Sequence, residues 1–177
     1  MSRPPAGEFD FGGFFRAVDS QRAARGLSWA GVAREVWEQS AVLNSRRRDH
    51  PISPSTLSGM EARSNTSCQH ALFALRWLGR TPESFVPGWT GPAAASLPEC
   101  GPDRRLRWNL KKLGAALDEE RHKQELTWAQ LAIELRCSPG QISGLHRLRY
   151  ATGTTLAVRI VHWLQRPSSD FIYAATW

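Results

Sequence analysis

Leu126-Thr127-Trp128-Ala129-Gln130-Leu131-Ala132, followed by Ser138-Pro139-Gly140-Gln141-Ile142-Ser143-Gly144-Leu145, decides the fold, because the pattern occurs twice. Leu27-Ser28-Trp29-Ala30 precedes it by 99 residues, and the match spreads outward. Ala17, Asp19, Arg22, Ala33 and Glu35 align with Ala116, Asp118, Arg121, Ala132 and Glu134. The first copy then carries an insertion of about 14 residues. Beyond it, Ser53-Pro54, Ser58-Gly59 and Met60 match Ser138-Pro139, Ser143-Gly144 and Leu145. Trp77-Leu78, Arg80 and Phe85 match Trp163-Leu164, Arg166 and Phe171. Copies of this length are small domains rather than solenoid repeats.

The apolar spacing is helical throughout. Phe11, Phe14, Phe15 and Val18 form one stripe, and Leu106, Leu110, Leu113 and Leu117 form its counterpart. Ser28 and Thr127 read as N-caps, each offering a hydroxyl to a free backbone N–H. Ser53-Pro54 and Ser138-Pro139 open further helices with a cap residue and proline at the first helical position. Two long amphipathic runs, 71–78 and 156–164, close the copies. No strand is expected, so the class is all-α. The domains are residues 9–86, with the insertion near 39–51, and 104–177. Residues 87–103, rich in Pro, Gly, Ala and Ser, read as a flexible linker able to span tens of ångströms; alternatively, the two modules pack together and Trp37, Trp89, Trp108 or Trp177 fills the seam.

Two short helices joined by a turn, the second opened by Ser-Pro, outline a helix-turn-helix. Val32, Ala33, Val36, Ile52, Leu57 and Met60 supply its apolar positions in copy one. Leu131, Ala132, Leu135, Cys137, Ile142 and Leu145 do so in copy two. On these residues each copy resembles the Xre-type, lambda-repressor-like helix-turn-helix family, and copy two carries the likeness best. The resemblance implies two tandem lambda-repressor-like bundles whose Ser-Pro helices enter DNA major grooves. It also implies an ion pair between Arg22 and Glu61, with His146 in place of the glutamate in copy two. Three departures stand out. Arg136 occupies the usual turn glycine, the insertion replaces the tight turn of copy one, and Trp29 and Trp128 replace a phosphate-binding glutamine.

The family pattern gives Ser53, Ser55, Thr56, Ser58 and Gly59 as DNA-binding residues in copy one. In copy two it gives Ser138, Gly140, Gln141, Ser143, Gly144 and Arg147. Most are small, and only Gln141 and Arg147 have the reach that base readout wants. The cations lie at the edges: Arg46, Arg47 and Arg48 in the insertion, Arg149 after the second reading helix, and Arg104, Arg105 and Arg107 leading into the first helix of the second copy. Net charge is +7, with about +3 in residues 1–90 and +4 in 91–177. This favours a polyanionic partner, double-stranded DNA, for both halves.

Three scattered cysteines make no disulfide framework, and the first residues lack a signal peptide's apolar run. A cytoplasmic, nucleoid-associated protein with no membrane span is therefore expected. No catalytic constellation, metal motif or cofactor loop is present, so neither enzyme activity nor a cofactor or metal is expected. A homodimer or a protein partner, as in an adaptor or antitoxin-like module, is the alternative to a transcriptional regulator. A weakly specific nucleoid-binding protein is a further one.

Overall fold

A computed structural model of the chain describes residues 7–63, 65–146 and 152–177. The described chain is mostly helical, with one small two-stranded sheet. The first half holds α1 (Phe11–Ala24), α2 (Trp29–Glu38), α3 (Ala41–Arg47), α4 (Pro54–Ser58), α5 (Met60–Arg63) and α6 (Cys68–Leu78). The second holds β1 (Arg105–Trp108), α7 (Leu110–Lys123), α8 (Trp128–Glu134), α9 (Pro139–His146), α10 (Thr154–Trp163) and β2 (Ile172–Ala175).

The duplication in sequence is a duplication in hydrogen bonding. Asp10 caps α1 by accepting from Gly13 N at 2.8 Å, and Asn109 caps α7 by accepting from Lys112 N at 2.9 Å. The same two residues donate their backbone N–H to Phe85 O and Phe171 O, both at 2.7 Å. Arg22 bonds Asp19 and Leu27 O and lies 4.8 Å over Trp29. Arg121 bonds Asp118 and Leu126 O and lies 4.5 Å over Trp128. Trp77 Nε1 donates to Glu35 at 2.8 Å, and Trp163 Nε1 to Glu134 at 2.7 Å. These contacts share one logic: a polar group near each helix end is satisfied inside its own half.

The apolar positions expected to lock the paired helices are in place. Val32, Ala33, Val36, Ile52, Leu57 and Met60 are buried in the first half, as are Leu131, Ala132, Leu135, Ile142 and Leu145 in the second, while Cys137 is only half-buried. Arg136 adopts a left-handed backbone (φ 49°) at the turn between α8 and α9. That conformation explains why glycine suits this position.

The sequence expectation fails at four places. First, the fold is not purely helical: β1 pairs antiparallel with β2, Arg105 opposite Ala175 and Trp108 opposite Ile172. Leu106 therefore belongs to a strand and not to the α7 stripe. It is buried together with Arg105 and Trp108, so the strand is covered on both of its faces. Second, the insertion is not merely a long turn. It forms α3, whose Asn44 is buried and donates to Trp37 O at 2.7 Å. Third, the 87–103 segment packs instead of spanning freely, as in the alternative that places a tryptophan in the seam. Trp89 packs against both cores, and its ring meets His162 at 4.5 Å between centroids. Buried Glu83 accepts from Ala94 N and from both Ser168 N and Ser168 Oγ, tying segment and second half to the first. Fourth, Arg22 does not pair with Glu61. Asp19, one turn back on the same helix, takes the guanidinium, and Glu61 is exposed.

The halves interlock through α6 and α10. Cys68 N donates to Thr152 O at 2.8 Å, and Thr154 N donates to Thr66 O at 2.9 Å. This is an antiparallel bridge between Ser67 and Gly153. Cys68 and Leu72 enter the second core, while Val158 enters the first.

Candidate nucleic-acid interface

Both Ser-Pro helices lie on the outside, each anchored from beneath by apolar side chains. In α4, Leu57 and the adjoining Met60 face inward, while Ser53, Pro54, Ser55 and Ser58 are exposed. In α9, Ile142 and Leu145 face inward, while Ser138, Pro139, Gly140, Gln141 and Ser143 are exposed. Gly144 is buried, which removes it from the set of residues able to touch a base. Thr56 and Gly59 are half-buried. A Cβ at position 59 would stand 2.9 Å from Ser55 O, so the end of α4 requires glycine. Arg147 and Arg149 lie outside the described residues.

The exposed polar groups are held by local bonds. Ser53 Oγ accepts from Thr56 N at 3.0 Å and lies 3.0 Å from Ser55 Oγ and 2.8 Å from Thr56 Oγ1. Gln141 closes a capping arrangement. Its Oε1 accepts from Ser138 N at 2.9 Å, while its own N–H donates to Ser138 Oγ at 3.3 Å. The carbonyl is thereby committed, and the amide Nε2 remains as the outward donor. Bidentate adenine readout needs acceptor and donor together, so the capped form suits a base acceptor instead.

Two arginine clusters far apart in sequence converge. Arg105 is buried in β1, and its guanidinium bonds Asn44 of α3 (Nε to Oδ1, 2.7 Å) and the Asp49 carboxylate. Asp49 also accepts from Arg47 at 3.1 Å. These bonds, led by Arg105, hold the Asp49 carboxyl below its usual range. Burial lowers the pKa of Arg107, and the nearby charges of Arg105 and Arg47 add to the effect. Arg46, Arg47 and Arg48 are all exposed at the end of α3. The run singled out in the insertion thus sits against the N-terminal strand of the second half. Sequence reasoning named both clusters and missed their meeting. The available signal was polar: Asn44 and Asp49 sit among cations in a segment with few other acids.

The tryptophans at the family's glutamine positions pack rather than project. Trp29 is half-buried and stacks on Phe15 at 5.8 Å, with the Arg22 guanidinium 4.8 Å from its ring centroid. Trp128 is half-buried likewise, with the Arg121 guanidinium 4.5 Å from its ring centroid. Elsewhere, Trp108 of β1 is buried at the junction and donates to Cys68 O at 3.0 Å. Burial pushes the Cys68 thiol up to about 12, and also raises Cys100 and Cys137, so these thiols stay protonated. Among the described residues, no group of three or more His, Cys, Asp or Glu is placed to hold a metal ion. No helix among them is long and apolar enough to cross a membrane. Comparison with family models, curated proteins and solved structures gives no match for this chain.

Proposed function

We propose that this protein is a DNA-binding regulator built from two tandem helix-turn-helix modules, with α4 and α9 as the reading helices. The observation that carries this reading is the outward display of both Ser-capped helices over the same buried frame. The left-handed turn at Arg136 supports it, and so do the exposed cations Arg46, Arg47 and Arg48 five to seven residues before Ser53. Phosphate contacts from these arginines fix the duplex, and small side chains on α4 and α9 let backbone and hydroxyl groups approach the groove. The protein-partner reading calls for an exposed aromatic surface. Of the eight tryptophans only Trp177 is exposed, and the feature that favours a protein partner is an apolar hollow beside α4 lined by Ala30, Ala33, Trp37, Ile52 and Pro54.

Fluorescence polarisation of a labelled duplex pool across a salt series tests the proposal. Binding is expected at low salt and falls steeply as salt rises. Changing Arg46, Arg47 and Arg48 together to Ala weakens binding to all sequences alike. It also lowers the log–log salt slope by roughly 1 for each arginine that holds a phosphate. Failure to bind any duplex at low salt overturns the reading.

A further inference from the structure

We infer that a single chain reads one DNA site made of two unlike elements in inverted orientation. This rests on the proposed DNA-binding function and specifies its target. The ground is a pseudo-two-fold axis running between the halves. Ser67 and Gly153 occupy equivalent positions, 86 residues apart, and they pair with each other. The two backbone bonds of that bridge are reciprocal: Cys68 N to Thr152 O and Thr154 N to Thr66 O. Pairing of this kind, where each residue meets its own counterpart, is the signature of an isologous contact.

One further exchange obeys the same axis, and a second is alike in kind. Leu72 enters the second core and its counterpart Val158 enters the first. The segment before α7 lies on α6, where Gln69 Nε2 donates to Leu106 O at 2.8 Å and Trp108 Nε1 to Cys68 O. The matching segment before α1 lies on α10, where Gly7 N donates to His162 Nδ1 and Glu8 meets Arg159 at 3.3 Å. The bridge and the Leu72–Val158 exchange pair equivalent positions, and the two leading segments each lie on the other half's last helix, though at different points along it, so the halves are related by rotation and not by translation.

A two-fold axis keeps equivalent groups at equal height along it, so α4 and α9 stand level on either side. Asn65, following α5, lines a hollow with Ser138, Gly140 and Gln141, so the first half reaches the foot of the second reading helix. A duplex has its own dyads perpendicular to its axis, and a body of this symmetry docks by aligning the two. Each helix then meets its element from opposite strands, which makes the elements inverted rather than repeated head to tail. They differ because the display differs: Ser53, Ser55 and Ser58 against Ser138, Gly140, Gln141 and Ser143. The docked 87–103 segment fixes the spacing, since Trp89 and Glu83 join it to both halves.

The test is selection of sites from a random duplex pool with the full chain, followed by titration and sedimentation of the selected duplex. Two different sequence elements in inverted orientation, bound by one chain per duplex, are expected. Reversing one element, or inserting about half a helical turn between them, should weaken binding by about 100-fold or more as the second contact is lost. Equal affinity for inverted and direct arrangements overturns the inference while leaving DNA binding intact. So does protection of one element alone, or occupancy by two chains. Absence of binding to every duplex overturns the DNA-binding reading and this inference together.

Discussion

The two halves build the same hydrogen-bond frame from different residues, and the difference shows which features the frame imposes. Two helix ends turn through a left-handed residue in both halves. The first half uses glycine at each, Gly26 (φ 62°) and Gly79 (φ 67°). The second uses Glu125 (φ 54°) and Gln165 (φ 54°) at the equivalent places. The conformation therefore belongs to the turn and not to the residue. A non-glycine side chain tolerates it at a cost of about 1–2 kcal/mol. The end of the scaffold helix tells a similar story. In the second half Arg159 reaches from α10 to bond Leu135 O at 2.7 Å and Arg136 O at 2.9 Å, satisfying carbonyls at the tight turn. The first half has Phe73 at that position, and Asn44 of the insertion bonds Trp37 O instead. One problem, unpaired carbonyls at a helix end, has two local solutions.

The severest way to break the comparison is to remove the buried indole from each half in turn. Trp77→Ala and Trp163→Ala should each cost about 3–5 kcal/mol, from lost burial and the loss of the bond to Glu35 or Glu134. Because Leu72 and Val158 cross between the cores, either substitution should lower a single urea transition. Two separate transitions, each answering to only one substitution, would show that the halves unfold independently.

A smaller effect sharpens the comparison of turns. Glu125→Gly and Gln165→Gly should each stabilise the protein by up to about 1 kcal/mol, as relief of the left-handed strain outweighs the entropy glycine adds to the unfolded chain. The reverse changes, Gly26→Glu and Gly79→Gln, should destabilise by a similar amount. A Cβ at either glycine meets nothing within 4 Å, so the effect would be purely conformational. Thermal midpoints of the four variants provide the measurement. Destabilisation by both glycine insertions would refute the account.

The smallest effect concerns acidity. Burial lowers the pKa of His162, and burial followed by Arg63 lowers that of His70. The unfolded chain then binds more protons than the folded one just below the ordinary histidine value of about 6.5. Stability is accordingly full above that value and declines as pH falls through and below it. The neutral Nδ1 of His162 accepts from Gly7, so acidification weakens the first half's hold on α10. Urea midpoints should fall between pH 7.5 and 5.5, and His162→Asn, which accepts without titrating, should remove much of the fall. An unchanged pH response in that variant would assign the effect elsewhere.

Much of the frame was legible in the sequence because it is local and printed twice. Ser28, Thr127, Ser53 and Ser138 cap the helices they were expected to cap, or open them, and the apolar locks other than the half-buried Cys137 are buried. What escaped is non-local. The strands are four residues each and meet across more than 60 residues of chain, too short for periodicity to separate them from helix. The composition of 87–103 suggested freedom, yet one indole and one carboxylate suffice to dock it. The Arg22–Glu61 pair failed because a carboxylate on the same helix lies closer. In the candidate interface, exposure of the Ser-Pro helices was readable from the pattern. The meeting of the insertion with β1 was not, since no repeat carries it.

Fusing two equivalent bodies into one chain changes what a single substitution does. In a symmetric pair of identical chains every replacement is made twice, and both surfaces change together. Here Ser67 faces Gly153 and Leu72 trades places with Val158, so each side of the axis can be altered alone. The helix Ala41–Arg47 is such a one-sided addition. It grips Arg105 across the junction, and no copy of it on the far side has to be accommodated.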